Sequence, residues 1–513
     1  MESQFISPGL TCRLRPCGPG SDSECQRFAA RTFSRKYGPI GRDEDENAQN
    51  EEREVILSKC TMLSGLKSIV ALGMMFCMLT SVIAEVFPPA FPIGEKSKFS
   101  SGGDIRIRQV HLDNIPILAD PPGVTRDGEN HFFRFRTRFW GKLDASENLG
   151  LYGRMTNEFR HYEKPENNSM NALDEILMDN LYLDVRNLFN ETVDLRLGRQ
   201  DLIYGTGKVI LEGTPKDGSR TIYMDAVKLT HKAMDKTTVD LLGIYNQPEN
   251  ELIFRSEDRD LTGWDPAYND LTESGGGVYI KNRTWDQAPT EAYYLYKHES
   301  DWLNRAGDTM PERDTHTLGG RVVPKFNDRF DGNLEAAYQL GERGDDDMNG
   351  YMLDALLNWH PPVMESWAPV LGVGWYYLSG DDPDSSDDEG WNPLWGRWPQ
   401  YSELYIYAWD ADGAGRWSNL SMPHVDFNFA PNDRIAFKNL LGYMFAPEDN
   451  GPGPGDERGL LLTMRADLKL KEGLLLEKDE LFGHLTLELV DPGDYYNVDA
   501  TADFIRWELS YKF

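Results

Sequence analysis

The last ten residues, FIRWELSYKF, alternate strictly: Ile505, Trp507, Leu509, Tyr511 and Phe513 share one face of a strand, and Arg506, Glu508, Ser510 and Lys512 share the other. A period of two puts successive side chains on opposite sides, so an apolar, aromatic-rich face backed by a charged face predicts a barrel wall between hydrocarbon and water. In hydrocarbon an open edge would leave backbone groups unpaired, so the last strand is expected to pair with the first. Similar segments of about ten residues recur throughout, joined alternately by short and long polar links. Eighteen are predicted: 104–112, 133–143, 151–162, 176–186, 193–204, 221–230, 238–245, 278–282, 292–298, 315–323, 332–340, 351–359, 370–379, 420–429, 434–444, 460–470, 482–490 and the closing strand. The reading is all-β: a transmembrane antiparallel β-barrel of about 18 strands. Short links such as 144–150 and 187–192 are assigned to the periplasm, and longer acidic links such as 380–390 to the outside.

Composition agrees. The 40% hydrophobic fraction and mean hydropathy of -0.55 are too low for a helical membrane protein. One stretch, 66–84 (LKSIVALGMMFCMLTSVIA), approaches a spanning helix. It reads as a signal peptide: Lys67 supplies the charge, 69–79 the apolar core, and Val82-Ile83-Ala84 the small-residue exit, leaving Glu85 as the mature N-terminus. The core is short for a membrane anchor, for which about 20 apolar residues are usual, and Cys77 lacks the small residues that precede a lipidated cysteine. The domain reading is therefore 1–61 as a disordered extension or mis-set start, 62–84 as the signal peptide and 85–513 as the barrel. All five cysteines (Cys12, Cys17, Cys25, Cys60, Cys77) precede the cleavage point, which suits an exported chain without disulfides and excludes thiolate chemistry.

Residues 1–84 hold ten basic and ten acidic side chains, so the formal charge of -31 falls on 85–513. Such a chain repels nucleic acid at long range. Its basic residues are nevertheless segregated. In 133–143, Phe133, Phe135, Phe139 and Leu143 point one way, and Arg134, Arg136, Arg138 and Lys142 the other. Arg106 and Arg108, Arg154 and Arg160, Arg196, Arg465 and Arg506 likewise oppose apolar neighbours. Arginine on the lipid face costs about 2–4 kcal/mol at the midplane, so these side chains are placed in the lumen. Each could be matched by a lumenal carboxylate such as Glu158, Asp179, Asp184, Glu335, Asp467 or Glu508, but no acidic strand is dense enough to match Arg134, Arg136 and Arg138 together. The forked, always charged guanidinium suits a carboxylate-bearing solute.

Several segments resemble one family, the alginate-export outer-membrane porins: LRLGRQDLIYG (195–205), KDGSRTIYMDAVKL (216–229), THTLGGRVV (315–323), YYLSGDDP (376–383), WNPLWGRWPQYSELY (391–405) and GHLTLELVDPGDYY (483–496). The closing strand also resembles those that outer-membrane barrels present to the barrel assembly machinery. The resemblance implies an eighteen-stranded barrel in the outer membrane of a Gram-negative bacterium, with an arginine-rich constriction that passes a polyuronate. It adds Arg199, Arg220 and Arg321 to the lumenal set. Strict alternation from Leu195 and Leu197 turns Arg199 toward lipid, a conflict that a bulge near Gly198 or a place above the membrane band would resolve. The expected partners are an anionic polysaccharide or oligosaccharide, outer-membrane lipid and a periplasmic export partner.

The mechanism expected is passive diffusion through several weak guanidinium sites in series. An anion-selective uptake porin and a surface sugar-binding or structural barrel are the alternatives, the latter with Trp391, Trp395, Trp398 and Trp409 as a stacking loop. The nine histidines are scattered over separate segments, with no HExxH, convincing Ser-His-Asp cluster or phosphate-cradling loop, and no enzyme or cofactor is expected. One candidate cation site remains, structural calcium at Asp381, Asp382, Asp384, Asp387 and Asp388. Solvation of a surface charge run explains that loop more readily than calcium does.

Overall fold

The computed structural model describes residues 97–114, 129–165, 175–211, 223–247, 252–255, 271–303, 309–396, 400–404, 409–410, 413–414, 418–497 and 499–513. The extension and the signal segment lie outside the described residues. Eighteen long strands follow one another in a ring: β1 (Lys98–Asp113), β2 (Asn130–Asp144), β3 (Leu149–Lys164), β4 (Glu175–Asn187), β5 (Val193–Gln200), β6 (Met224–Met234), β7 (Thr237–Asn246), β8 (Glu273–Asn282), β9 (Thr290–Glu299), β10 (Arg313–Val322), β11 (Phe330–Arg343), β12 (Tyr351–Trp359), β13 (Val370–Leu378), β14 (Leu420–Asn432), β15 (Ile435–Phe445), β16 (Glu457–Glu472), β17 (Glu480–Asp491) and β18 (Ala502–Lys512). Each pairs antiparallel with its successor, and β18 returns to β1 from Lys512 opposite Asp104 to Asp503 opposite Asp113. Two further backbone bonds tie the seam, Gly103 N–H to the Phe513 carbonyl at 2.8 Å and Phe513 N–H to the Gly103 carbonyl at 3.0 Å. No edge is left among these strands, as the membrane requires.

The two faces of the wall are chemically opposite. Leu151, Met155, Leu181, Leu197, Val227, Leu241, Leu318, Val373, Val425, Leu441, Leu485 and Ile505 are exposed on the outside, where lipid covers them. Alternate residues point inward and are largely buried, among them Arg106, Arg108, Thr156, Thr315, Thr317, Glu335, Gln339, Asp354 and Glu488. Turns are short at one end (145–148, 235–236, 433–434), and the connections at the other are longer, up to 379–419 between β13 and β14.

Two of the long connections fold back into the lumen. In 201–211, Leu202, Tyr204, Lys208, Val209, Ile210 and Leu211 are buried; in 391–396 and 400–404, Trp391, Leu394, Trp395, Ser402 and Leu404 are buried. The two straps meet through backbone bonds between Trp395 and both Val209 and Leu211. They are clamped mainly by the β7–β12 wall: the Tyr204 hydroxyl donates to Asp240 at 2.8 Å, Lys208 pairs with Asp354 at 3.2 Å, and Lys297 donates to the Leu394 carbonyl at 2.9 Å. From there 400–404 crosses to β17 and β18. Glu488 accepts from the Ser402 hydroxyl, from the Glu403 N–H at 2.7 Å and from the Leu404 N–H at 3.2 Å.

Candidate functional site

β1 and β2 lie in register with Arg106 opposite Arg136 and Arg108 opposite Arg134. Like charges placed directly opposite destabilise a strand pair, so carboxylates are interposed. Asp104 accepts from Arg136 at 3.0 Å and Arg138 at 2.6 Å. Glu158 on β3 accepts from Arg106 at 3.3 Å and Arg134 at 2.7 Å. Glu508 on β18 accepts from Arg108 at 2.6 Å and stands 3.9 Å from Arg106. Among the described residues, five guanidinium groups thus share three carboxylates. The individual arginines are paired, as a structural role demands, and each of the three carboxylates serves two of them.

The ladder continues around the wall. Arg154 takes Asp179 at 2.8 Å and Asp201 at 3.0 Å; a register shift opposite Arg154 and Met155 lets the neighbours Asp179 and Asn180 both be buried. Arg160 donates to the Tyr162 hydroxyl at 3.0 Å. Arg196 grips Asp184 with two nitrogens, at 2.7 and 3.1 Å, and lies 4.0 Å over the Tyr182 ring. On the other side of the β1–β18 seam, Arg465 pairs with Asp467 at 2.7 Å, and Arg506 pairs with Glu403 at 3.0 Å while donating to His484 at 2.9 Å. Arg106, Arg136, Arg138, Arg154 and Arg465 also line a cavity of about 810 Å3 that opens toward the short-turn end. Its wall is β1–β3 and β14–β18.

Three of the expected lumenal arginines stand apart. Arg321 faces inward, but on the far wall, 3.4 Å from Glu291 and 2.6 Å from the Asn333 oxygen. Arg220 lies outside the described residues. Arg199 is a correction: it pairs in register with lipid-facing Leu181, and its own pairing with β6 shows no register shift, so it points outward rather than into the pore. It sits one residue before the long-loop end of β5, holds Asp225 at 2.8 Å and stacks 3.7 Å over Tyr223. Gly198 has a φ of +120°, yet no residue is inserted there.

The clamps that hold the straps were not anticipated. Lys208, Lys297, Glu335, Asp354 and Glu488 are buried. Inward parity marks Lys297 between Tyr296 and His298, but nothing local in sequence reveals that it would meet a residue 97 positions away. Trp391 and Trp395 form the core of the straps and are not an exposed sugar platform. At the mouth, Asp388 accepts from Arg313 at 3.4 Å and Arg343 at 3.1 Å, and Asp381 accepts from the Glu389 N–H at 3.0 Å. No group of three His, Cys, Asp or Glu among the described residues is arranged to hold a metal ion. Burial and the neighbouring Asp382, Glu389, Asp449 and Asp381 hold the Glu448 carboxyl above the usual range.

The model of the alginate export family matches residues 100–444. The chain belongs to the alginate-export family. No curated protein matches it. Among solved structures it is similar to a BenF-like porin from Pseudomonas fluorescens Pf-5, with 11% identity, a TM-score of 0.53 and coverage of 82% of this chain and 99% of that one. It is also similar to Pseudomonas aeruginosa OccK2 (OpdF) in complex with glucuronate, with 10% identity, a TM-score of 0.51 and coverage of 82% and 98%. These neighbours share its fold. The protein is an outer-membrane porin that crosses the membrane many times as a β-barrel, a transport channel in family and architecture.

Proposed function

We propose that the porin passes an anionic, uronate-type polysaccharide or oligosaccharide by passive diffusion along the guanidinium ladder of β1–β3. The observation that carries this reading is the sharing of Asp104, Glu158 and Glu508 by Arg106, Arg108, Arg134, Arg136 and Arg138. The forked geometry of an entering carboxylate matches a guanidinium better than it matches ammonium groups. Because each arginine already holds a protein carboxylate, the guest competes for every contact, so each site is weak and the chain can move on. The glucuronate complex of OccK2 gives a precedent for a hexuronate in a barrel of this architecture.

The test is blockade of ion current through the purified barrel in a planar bilayer. Oligouronates should interrupt the current, and neutral oligosaccharides of equal length should not. Equal blockade by both would leave size exclusion as the mechanism and remove the ladder from it.

A further inference from the structure

Trp140, Tyr152 and Tyr182 sit on three consecutive strands and all face the lumen. Trp140 and Tyr152 both line the cavity of about 810 Å3. The planes of Trp140 and Tyr152 differ by 20° with centroids 6.1 Å apart, and those of Tyr152 and Tyr182 by 19° with centroids 4.9 Å apart. The indole lies against Gly102 of β1, so closely that a Cβ there would stand 2.7 Å from Cζ2. The wall is thus thinned where the ring rests, and the rings lie shingled along it.

A purely structural role accounts poorly for this strip. The apolar cluster that fixes the straps includes Tyr204, Tyr279 and Tyr293, which are fully buried and tied by their hydroxyls to Asp240, Glu291 and Glu335. Trp140 and Tyr152 do not belong to it and are only partly buried, whereas Tyr182 backs Tyr152 and is itself covered by the Arg196 guanidinium. Aromatic surface facing an aqueous passage loses the hydrophobic gain of burial unless a ligand covers it.

Charge frames the strip. Arg138 precedes Trp140 by two residues on the same face, about 7 Å along the strand, and Lys142 follows it by two. Arg154 is its direct cross-strand partner. A pyranose ring has an apolar C–H face, and in a uronic acid the carboxylate projects from the ring edge. A ring laid on Trp140 therefore directs its carboxylate toward Arg138, which shares Asp104 with Arg136.

We propose that Trp140, with Tyr152 beside it, is a pyranose-stacking subsite in the periplasmic half of the lumen, and that with Arg138 it selects hexuronate chains over other polyanions. This rests on the ladder reading and names its substrate class. The test compares residence times of an oligouronate and of polyglutamate of equal charge in the whole purified protein. Trp140→Ala should shorten the oligouronate residence about tenfold, equivalent to about 1.4 kcal/mol, and leave polyglutamate unchanged, while Trp140→Tyr should retain most of it. Tyr152→Leu gives a second, milder variant should Trp140→Ala fail to assemble. A residence unchanged in these variants, or shortened alike for both polyanions, overturns the stacking subsite while the ladder stands. Failure of both polyanions to block the wild-type channel overturns the ladder and, with it, the subsite.

Discussion

Replacing Arg134, Arg136 and Arg138 together with Ser changes five guanidinium groups over three carboxylates into two over three. The local charge falls by three. At about 10 Å from the pore path each unit charge is worth about 0.4 kcal/mol in water, so the three together shift the local potential by about 1.2 kcal/mol, or about eightfold in anion concentration. That figure applies near 10 mM salt, where the screening length is about 30 Å; near 1 M it shrinks to about 3 Å and the effect should nearly vanish. The assay is the reversal potential of a KCl gradient across a planar bilayer, measured at both salt levels. The wild-type barrel should be anion-selective at low salt and the triple variant cation-selective. Because the substitutions also strip Asp104 of both its partners, Asp104→Asn serves as the opposing variant. It removes a negative charge and should raise anion selectivity, a direction that general loosening of the wall cannot produce together with the first. Selectivity that is unchanged in 10 mM salt would refute the placement of these groups on the conducting path.

Other perturbations separate wall, strap and turn. Arg199→Ala leaves Asp225 without its guanidinium partner on the outer face, so the barrel should lose about 1–3 kcal/mol of stability in a thermal melt with no change in ion selectivity; a selectivity change would return Arg199 to the lumen. Glu488→Ala releases the three donors of 402–404 and should raise single-channel conductance and its flicker, and an unchanged conductance would show that this segment does not narrow the path. The periplasmic turn 473–479 is held by Asp479, whose burial is outweighed by the Tyr511 hydroxyl and the amides of Leu476, Leu475 and Leu474, which keep its carboxyl well below the ordinary range. A depressed carboxyl contributes stability above its unfolded value near 3.9 and loses it as pH falls through the folded one. Asp479→Asn should therefore melt lower than wild type at pH 7, with the gap closing only in strong acid; a gap that is the same at all pH values would assign the loss to packing.

The strand pattern was legible because lipid on one side and water on the other enforce a period of two over all eighteen strands. The departures have physical causes. β5 ends at Gln200 rather than at 204: Leu202 and Tyr204 take the parity of inward Gln200 and are buried in the strap. β8 begins at Glu273, five residues before the predicted 278, because Gly275, Gly276 and Gly277 have no side chains to carry a pattern. Glycine is required there, since at Gly276 (φ +150°) a Cβ would stand 2.0 Å from the Leu242 carbonyl oxygen. Of the site, the inward arginines were readable from parity alone. A partner across the seam, Glu508, some 400 positions from Arg108, depends on closure and was readable only as one of an inventory of carboxylates. The straps escaped because the bonds that place Lys208 on Asp354 and 402–404 on Glu488 are distant in sequence and leave no local period.

The seam between β1 and β18 has a consequence for how the pore acquires its charge. Arg106 and Arg108 stand on the first strand, and the carboxylate of Glu508 reaches them only when the last strand docks. Until then the two guanidinium groups lack a counter-charge from that side. Closing the wall and setting the electrostatic balance of the passage are therefore one event, and a barrel whose ends have not met is also a channel of the wrong charge.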